Sequence, residues 1–280
     1  MLIDTHAHLN FDAFEKDADE VIRRSLDEGV WMINVGSNFE TSKKAVEIAQ
    51  KYPNGIFVSV GLHPINLDTG LVKMKKDEIE GSNFEKEFDY EKYKNLARSE
   101  KVVAIGEIGL DYYWKPKTTK KKEIFKQKQK DLLLKQLKLA EELNLPVIFH
   151  CRVAHDDLIE IVSEQLTANN KQIRGVMHGF VGTLEQLQKY LKIGFYIGYN
   201  GIIFKKIEGI NFEENIKNTP LDKIFIETDC PYLSPPSVGG ERNEPIHVKY
   251  VAEEIAKMKN ISLDKIVKTT TQNARQLFKI

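Results

Sequence analysis

Six side chains able to hold a metal ion stand at or just beyond the ends of short apolar runs in this chain: His6, His8, Glu107, His150, His178 and Asp229. His63 follows another such run, so five of the seven histidines share this placement. Imidazole nitrogens mixed with carboxylate oxygens suit Zn, Mn, Fe or Co, and Mg where carboxylate and phosphate oxygens dominate. A buried carboxylate without a partner is costly. A cation relieves that cost for Glu107 and Asp229 together. The chemistry such a set offers is activation of a water molecule for hydrolysis.

These residues need elements that bring them to one place. Runs expected as strands span 2–5, 30–35, 56–61, 102–107, 146–150, 175–178, 194–198 and 224–228. Amphipathic runs expected as helices span 18–28, 41–51, 125–143, 156–166, 183–191, 245–259 and 263–278. Strands that alternate with helical or irregular sequence indicate parallel βαβ units. A length of 280 residues suits an α/β TIM (β/α)8 barrel, typically about 250. The rival is an open doubly wound sheet, which usually carries a glycine-rich phosphate turn after its first strand. Here His6-Ala7-His8 stands there instead. In a barrel the C-terminal strand ends form one rim, where ligands distant in sequence converge. Strand alternation puts His6 with His8, Ile148 with His150, and Val176 with His178 on common faces. It expects the same of Val103, Ile105 and Glu107. Cys151 and Cys230 each follow a candidate ligand, so alternation turns them away from the lumen as buried thiols.

With 41 Lys and Arg against 41 Asp and Glu, the chain has no formal net charge, which excludes bulk attraction to polyanions as the basis of function. At 41% hydrophobic and 29% charged it is neither disordered nor membrane-like. No run approaches the roughly 18 apolar residues of a transmembrane span. The first ten residues lack the basic region of a signal peptide. Two cysteines far apart in sequence suit reduced thiols in a cytoplasmic protein. One domain is expected over 1–280, with a charged surface insertion at about 66–92, where eight acidic residues and five lysines show little periodicity.

The stretches Asp4-Thr5-His6-Ala7-His8-Leu9, Gly61-Leu62-His63-Pro64, Gly106-Glu107-Ile108-Gly109-Leu110-Asp111-Tyr112, His150-Cys151-Arg152, His178-Gly179-Phe180, Glu227-Thr228-Asp229-Cys230-Pro231-Tyr232-Leu233 and Arg242-Asn243-Glu244-Pro245 together resemble the TatD family of metal-dependent deoxyribonucleases, within the amidohydrolase-like metal-dependent hydrolases. The resemblance implies a site for two divalent ions, Mg, Mn or Zn. His6, His8 and Asp229 would hold the first ion, His150 and His178 the second, and Glu107 would bridge. His63 and Arg242 would contact substrate phosphate, and Arg152 joins them among the substrate-binding residues. Related amidohydrolases often bridge with a carboxylated lysine, whereas the fourth strand here ends in Glu107. The substrate implied is DNA, with RNA as an alternative, degraded 3′→5′ from single strands. No membrane and no obligate protein partner is implied.

The residues read on their own agree with a phosphodiesterase. Two ions about 3.5–4 Å apart would clamp both oxygens of an in-line displacement at phosphorus. Asp229 and Glu107 are the expected catalytic residues, with Asp229 the general base. Arg242 offers a planar fork that matches phosphate. Glu227 shares a face with Asp229, either orienting a ligand or closing an ion pair. Residues 115–130 hold eight lysines and one glutamate beside Tyr112, Tyr113 and Trp114. Such a stretch either tracks a nucleic-acid backbone or forms a solvated helix face. The alternatives are a hydrolase of the same fold acting on a lactone or cyclic amide, and a metal-holding protein without turnover. The presence of Asp229 argues against the second.

Overall fold

Eight parallel strands form one sheet in sequential order: β1 (Leu2–Ala7), β2 (Val30–Val35), β3 (Ile56–Val60), β4 (Val102–Asp111), β5 (Val147–Arg152), β6 (Gly175–Met177), β7 (Tyr196–Tyr199) and β8 (Ile224–Ile226). The computed structural model describes residues 1–72, 84–168 and 173–280. The ring closes where Ala7 pairs with Cys230. There Asp229 N–H donates to the His6 carbonyl at 2.8 Å and His8 N–H donates to the Cys230 carbonyl at 3.0 Å. The fold is a TIM barrel. Around it lie α1 (Ala18–Asp27), α2 (Phe39–Gln50), α3 (Tyr90–Leu96), α4 (Thr119–Glu142), α5 (His155–Ala168), α6 (Leu184–Ile193), α7 (Phe212–Asn218), α8 (Val248–Lys259) and α9 (Leu263–Phe278).

The helices start where the sequence supplies caps. Asn38 and Thr41 form a reciprocal capping box on α2, as do Thr183 and Gln186 on α6. Apolar side chains sort into two layers. Ile3, Ile33, Val35, Val103, Ile148, Val176 and Phe225 fill the lumen, and Leu277 and Phe278 of α9 plug it. The second layer, with Met32, Val58, Ile105, Ile108, Leu133 and Leu137, packs strands against helices.

Ile105 is therefore on the outer face, not in line with Val103 and Glu107 as strict alternation expects. The β3–β4 register shifts between Val58 and Ser59, and the β4–β5 register shifts between Ile105 and Ile108. Ala104 takes the lumen side instead. β1 shifts likewise between Asp4 and Ala7 against β2. An irregularity of this kind re-aims the side chains beyond it. Ile3 and the two histidines thus all face inward although His6 and His8 stand three and five positions after Ile3.

Strands β1, β4 and β5 run beyond their expected ends, while β6 and β8 stop short, leaving His178 and Asp229 in the loops that follow. Helix α4 starts six residues before its expected position of 125. The expected helix at 245 begins as a 3-10 turn, Pro245–His247, ahead of α8. Helices α3 and α7 are additional. Residues 73–83, the middle of the expected 66–92 insertion, lie outside the described residues. On its flanks Leu67 pairs with Glu85. The Glu85 carboxylate accepts from Phe39 N–H and from the Tyr93 hydroxyl at 2.8 Å. That side of the loop is built into the barrel wall.

Candidate metal centre

The rim brings His6, His8, His63, Glu107, His150, His178 and Asp229 together at its centre. The Nε2 atoms of His6 and His8 approach to 3.1 Å. Asp229 Oδ1 lies 3.4 Å from His8 Nε2, 4.0 Å from His6 Nε2 and 3.8 Å from His178 Nε2. Glu107 faces two groups at once. Its Oε2 is 3.3 Å from His6, while its Oε1 is 2.8 Å from His150 Nδ1, 3.6 Å from His63 and 3.9 Å from His178. The rings of His6 and His178 stack with centroids 3.5 Å apart. Donor atoms of His6, His8 and Asp229 form one cluster suited to a cation, and those of His63, Glu107 and His150 form another.

Hydrogen bonds fix which imidazole nitrogens carry protons. His8 Nδ1 faces the Val35 carbonyl at 2.9 Å, so it donates there and leaves Nε2 to face Asp229. His178 Nδ1 donates to Glu227 Oε2 at 2.8 Å, so Nε2 is the nitrogen turned to the centre. A carboxylate behind a histidine is the usual support of a metal ligand. His63 is the reverse. Its Nδ1 accepts from Ile65 N–H at 3.1 Å, so the neutral ring carries its proton on Nε2. His63 is therefore a donor toward the centre, whereas His8 and His178 turn to it the nitrogen that would ligate a cation.

The charges fit a cation. Among the described residues Glu107, Asp111, Asp229 and Glu227 have only histidines as ion-pair partners, with no lysine or arginine. Burial drives the Glu107 carboxyl upward, but His63, His6 and His150 outweigh it and hold it well below the usual range. Burial likewise opposes, and hydrogen bonding to His8 with the neighbouring His178 and His6 secures, a lowered Asp229. Burial, with His178 adjacent, depresses His6 to about 4. Its Nδ1 is buried with no partner among the described residues. His150 is raised to about 9 because Asp111 and Glu107 outweigh its burial, and His178 to about 10 because Glu227 does the same. Two Nε2 atoms 3.1 Å apart are close to the separation of about 3.3 Å that two nitrogens take on one tetrahedral ion at 2.0–2.1 Å.

Asp111 was not among the expected site residues. Its Oδ2 lies 3.2 Å from His150 Nε2. Two signals point to it: it stands four residues after Glu107, an even spacing on the same strand, and it falls within the Gly-Leu-Asp-Tyr stretch. Buried Gln129 of α4 pairs with both its N–H and C=O groups, at 2.8 and 2.9 Å. Gln136, two turns on, does the same for Leu62, next to His63, at 2.7 and 2.9 Å. Helix α4 thus holds the backbone on both sides of the His63–His150 half of the site.

Arg242 stands apart from this centre. Its guanidinium binds both carboxylate oxygens of Asp17, the Ala13 carbonyl and Glu244, and lies over Phe14. Glu244 in turn accepts two hydrogen bonds from Arg24, at 2.7 and 2.8 Å. The fork expected to meet phosphate is paired with Asp17. Arg152 is different: no carboxylate or hydrogen-bond acceptor holds its guanidinium among the described residues. It lines a cavity of about 910 Å³ whose wall includes His150, His178, Asp229 and Lys126. Cys151 is half-buried on the same wall, while Cys230 is buried, and both are free thiols. Lys120 and Lys121 are exposed and Lys122 is half-buried in the first turn of α4, which has no acidic residue. Lysines there oppose the helix dipole.

The family model described as TatD related DNase matches residues 3–279. An uncharacterized metal-dependent hydrolase of Bacillus subtilis, YabD, is 38% identical, with both chains covered in full. The 3′-5′ ssDNA/RNA exonuclease TatD of Escherichia coli is 30% identical over 100% of this chain and 99% of its own length. The crystal structure of YJJV, a TatD homologue from Escherichia coli K12, superposes with a TM-score of 0.81 at 28% identity, covering 100% of this chain and 98% of that one. No helix of the described residues is long and apolar enough to cross a membrane.

Proposed function

Since this chain belongs to the TatD-related DNase family and is a metal-dependent hydrolase, we propose that it hydrolyses phosphodiester bonds in single-stranded DNA, removing nucleotides 3′→5′, with RNA as a further substrate. The observation that carries the reading is the pair of Glu107 oxygens, each turned to a different set of histidines. His6, His8 and Asp229 would hold one ion, His150 and His178 a second, and Glu107 would bridge them. When bound, divalent ions supply Lewis acidity to an attacking water and to the phosphoryl oxygens.

The chain's own residues do the rest. Asp229, ionised and edging the cavity, accepts the proton of the attacking water. His63 donates its Nε2 proton to a phosphate oxygen, a role its Nδ1 bond to Ile65 enforces. Glu227 keeps the His178 ring in one tautomer. The cavity is wide enough for an unpaired nucleotide, and Lys126 and Arg152 on its wall favour an anion over a neutral lactone or amide. The test is degradation of end-labelled single-stranded oligonucleotides with added divalent metal, beside a panel of lactones and cyclic amides. Shortening from the 3′ end supports the reading; turnover confined to the neutral substrates overturns it.

A further inference from the structure

Resting on that reading, we infer that Tyr113 and Arg152 form a stacking platform for the unpaired base next to the scissile phosphate. The Arg152 guanidinium carbon lies 3.5 Å from the centroid of the Tyr113 ring. Trp114 abuts the same ring edge-on, with centroids 5.2 Å apart and planes at 88°. Tyr113 remains 49% exposed although Arg152 covers it, so an aromatic surface is left open to a ligand.

The platform stands beside the reacting centre. Arg152 is two residues beyond His150 on β5, so the two side chains share a face and Arg152 lies one step higher on the wall. Tyr113, Arg152, His150 and Asp229 all line the same cavity. Strand β5 ends at Arg152, and the next residue, Val153, takes a φ of 58° while 64% exposed. A β-branched residue rarely adopts that conformation, and such outliers collect at functional sites. An arginine without a carboxylate partner beside the site gains little for folding. Laid flat on an aromatic ring it presents a planar cationic face, which stacks on any base and attracts the flanking phosphate. Recognition of this kind is blind to base identity and demands a base that is not paired.

Steady-state kinetics of the metal-loaded enzyme test this on two substrates: a single-stranded oligonucleotide, and the same strand with abasic residues at its terminal positions. Tyr113→Leu keeps an apolar side chain but removes the stacking face. It should raise KM for the ordinary strand about tenfold, within the usual worth of one base–aromatic stack, and change kcat less than about twofold. On the abasic strand it should do nothing. Tyr113→Trp should restore the ordinary KM. Arg152→Lys, which keeps the charge, should behave like Tyr113→Leu. Equal KM values for wild type and Tyr113→Leu on the ordinary strand overturn the platform while leaving the nuclease reading intact. A wild type that cleaves neither strand overturns the nuclease reading, and the platform with it. Circular dichroism of each variant shows that the fold is kept.

Discussion

At the scale of single residues, Asp229 is the sharpest test of mechanism. A ligand needs an oxygen lone pair, which Asn partly keeps; a general base needs a proton acceptor, which Asn is not. Asp229→Asn should hold most of its metal yet lose about 10²–10⁴-fold in kcat, measured at full metal occupancy. Activity within a few-fold of wild type would leave Asp229 a ligand only. Arg242 makes the opposite case. With Asp17 filling its fork, Arg242→Lys should leave KM unchanged and lower Tm by a few degrees. Asp17 is held low chiefly by its hydrogen bond to Arg242. Glu244 is held low against burial by Arg24 and Arg242. Carboxyls depressed in the folded state contribute stability above their unfolded pKa, near 4, and lose it as pH falls through the folded value. The Tm gap between wild type and Arg242→Lys should therefore be full at pH 7 and shrink below about pH 4, by thermal melts across that range. Sequence showed which residue types could bind metal but not how a guanidinium is spent: Arg242 and Arg152 look alike until Asp17, 225 residues from Arg242, is placed beside one of them.

At the scale of elements, most helices were found because they bury one regular face, and the strands stood out as short apolar runs because both their faces are buried. Helix α4 shows where it stops. Its apolar pattern begins at Phe125, and the lysine turn ahead of it carries no apolar signal, yet the helix starts at Thr119. Two of its buried positions are Gln129 and Gln136, which a hydrophobic pattern reads as surface. Replacing Gln136 with Leu strands a buried N–H and a buried C=O of Leu62. Each costs about 1–3 kcal/mol, so Tm should fall by at least about 5 °C, with loss of His63-dependent turnover. Lys120, Lys121 and Lys122 in the first turn of α4 predict the reverse balance. Changing all three to Gln relieves their clash with the helix dipole and should raise Tm slightly. If they meet phosphates, the same change should flatten the salt dependence of oligonucleotide binding by up to about 0.7 in log–log slope per lost contact. An unchanged slope makes them a solvated face. The irregularities in β1 and β4 were not legible either: a register shift leaves no mark in composition, and only the neighbouring strand reveals it.

At the scale of the whole molecule, the barrel was readable from strand count and length, because eight βα repeats allow few other closures. Its consequence for metal was readable as well, since the rim is where ends converge. Saturating titration of chelator-treated protein should bind two ions per chain by elemental analysis and raise Tm as free metal rises. Saturation at one ion removes the bridging role of Glu107. The seam between β8 and β1 carries a further consequence, one of timing. His6 is met by Asp229, and Ala7 by Cys230, more than 220 residues later. A ribosome adding roughly 5–20 residues per second takes about ten seconds or more to reach Asp229 after His6. Until then the nascent chain carries His6 and His8 without Asp229 beside them and no closed wall to hold them. Every fragment stalled before Cys230 should be silent toward nucleic acid, so a cell that abandons this protein midway through translation releases no unfinished nuclease among its own strands.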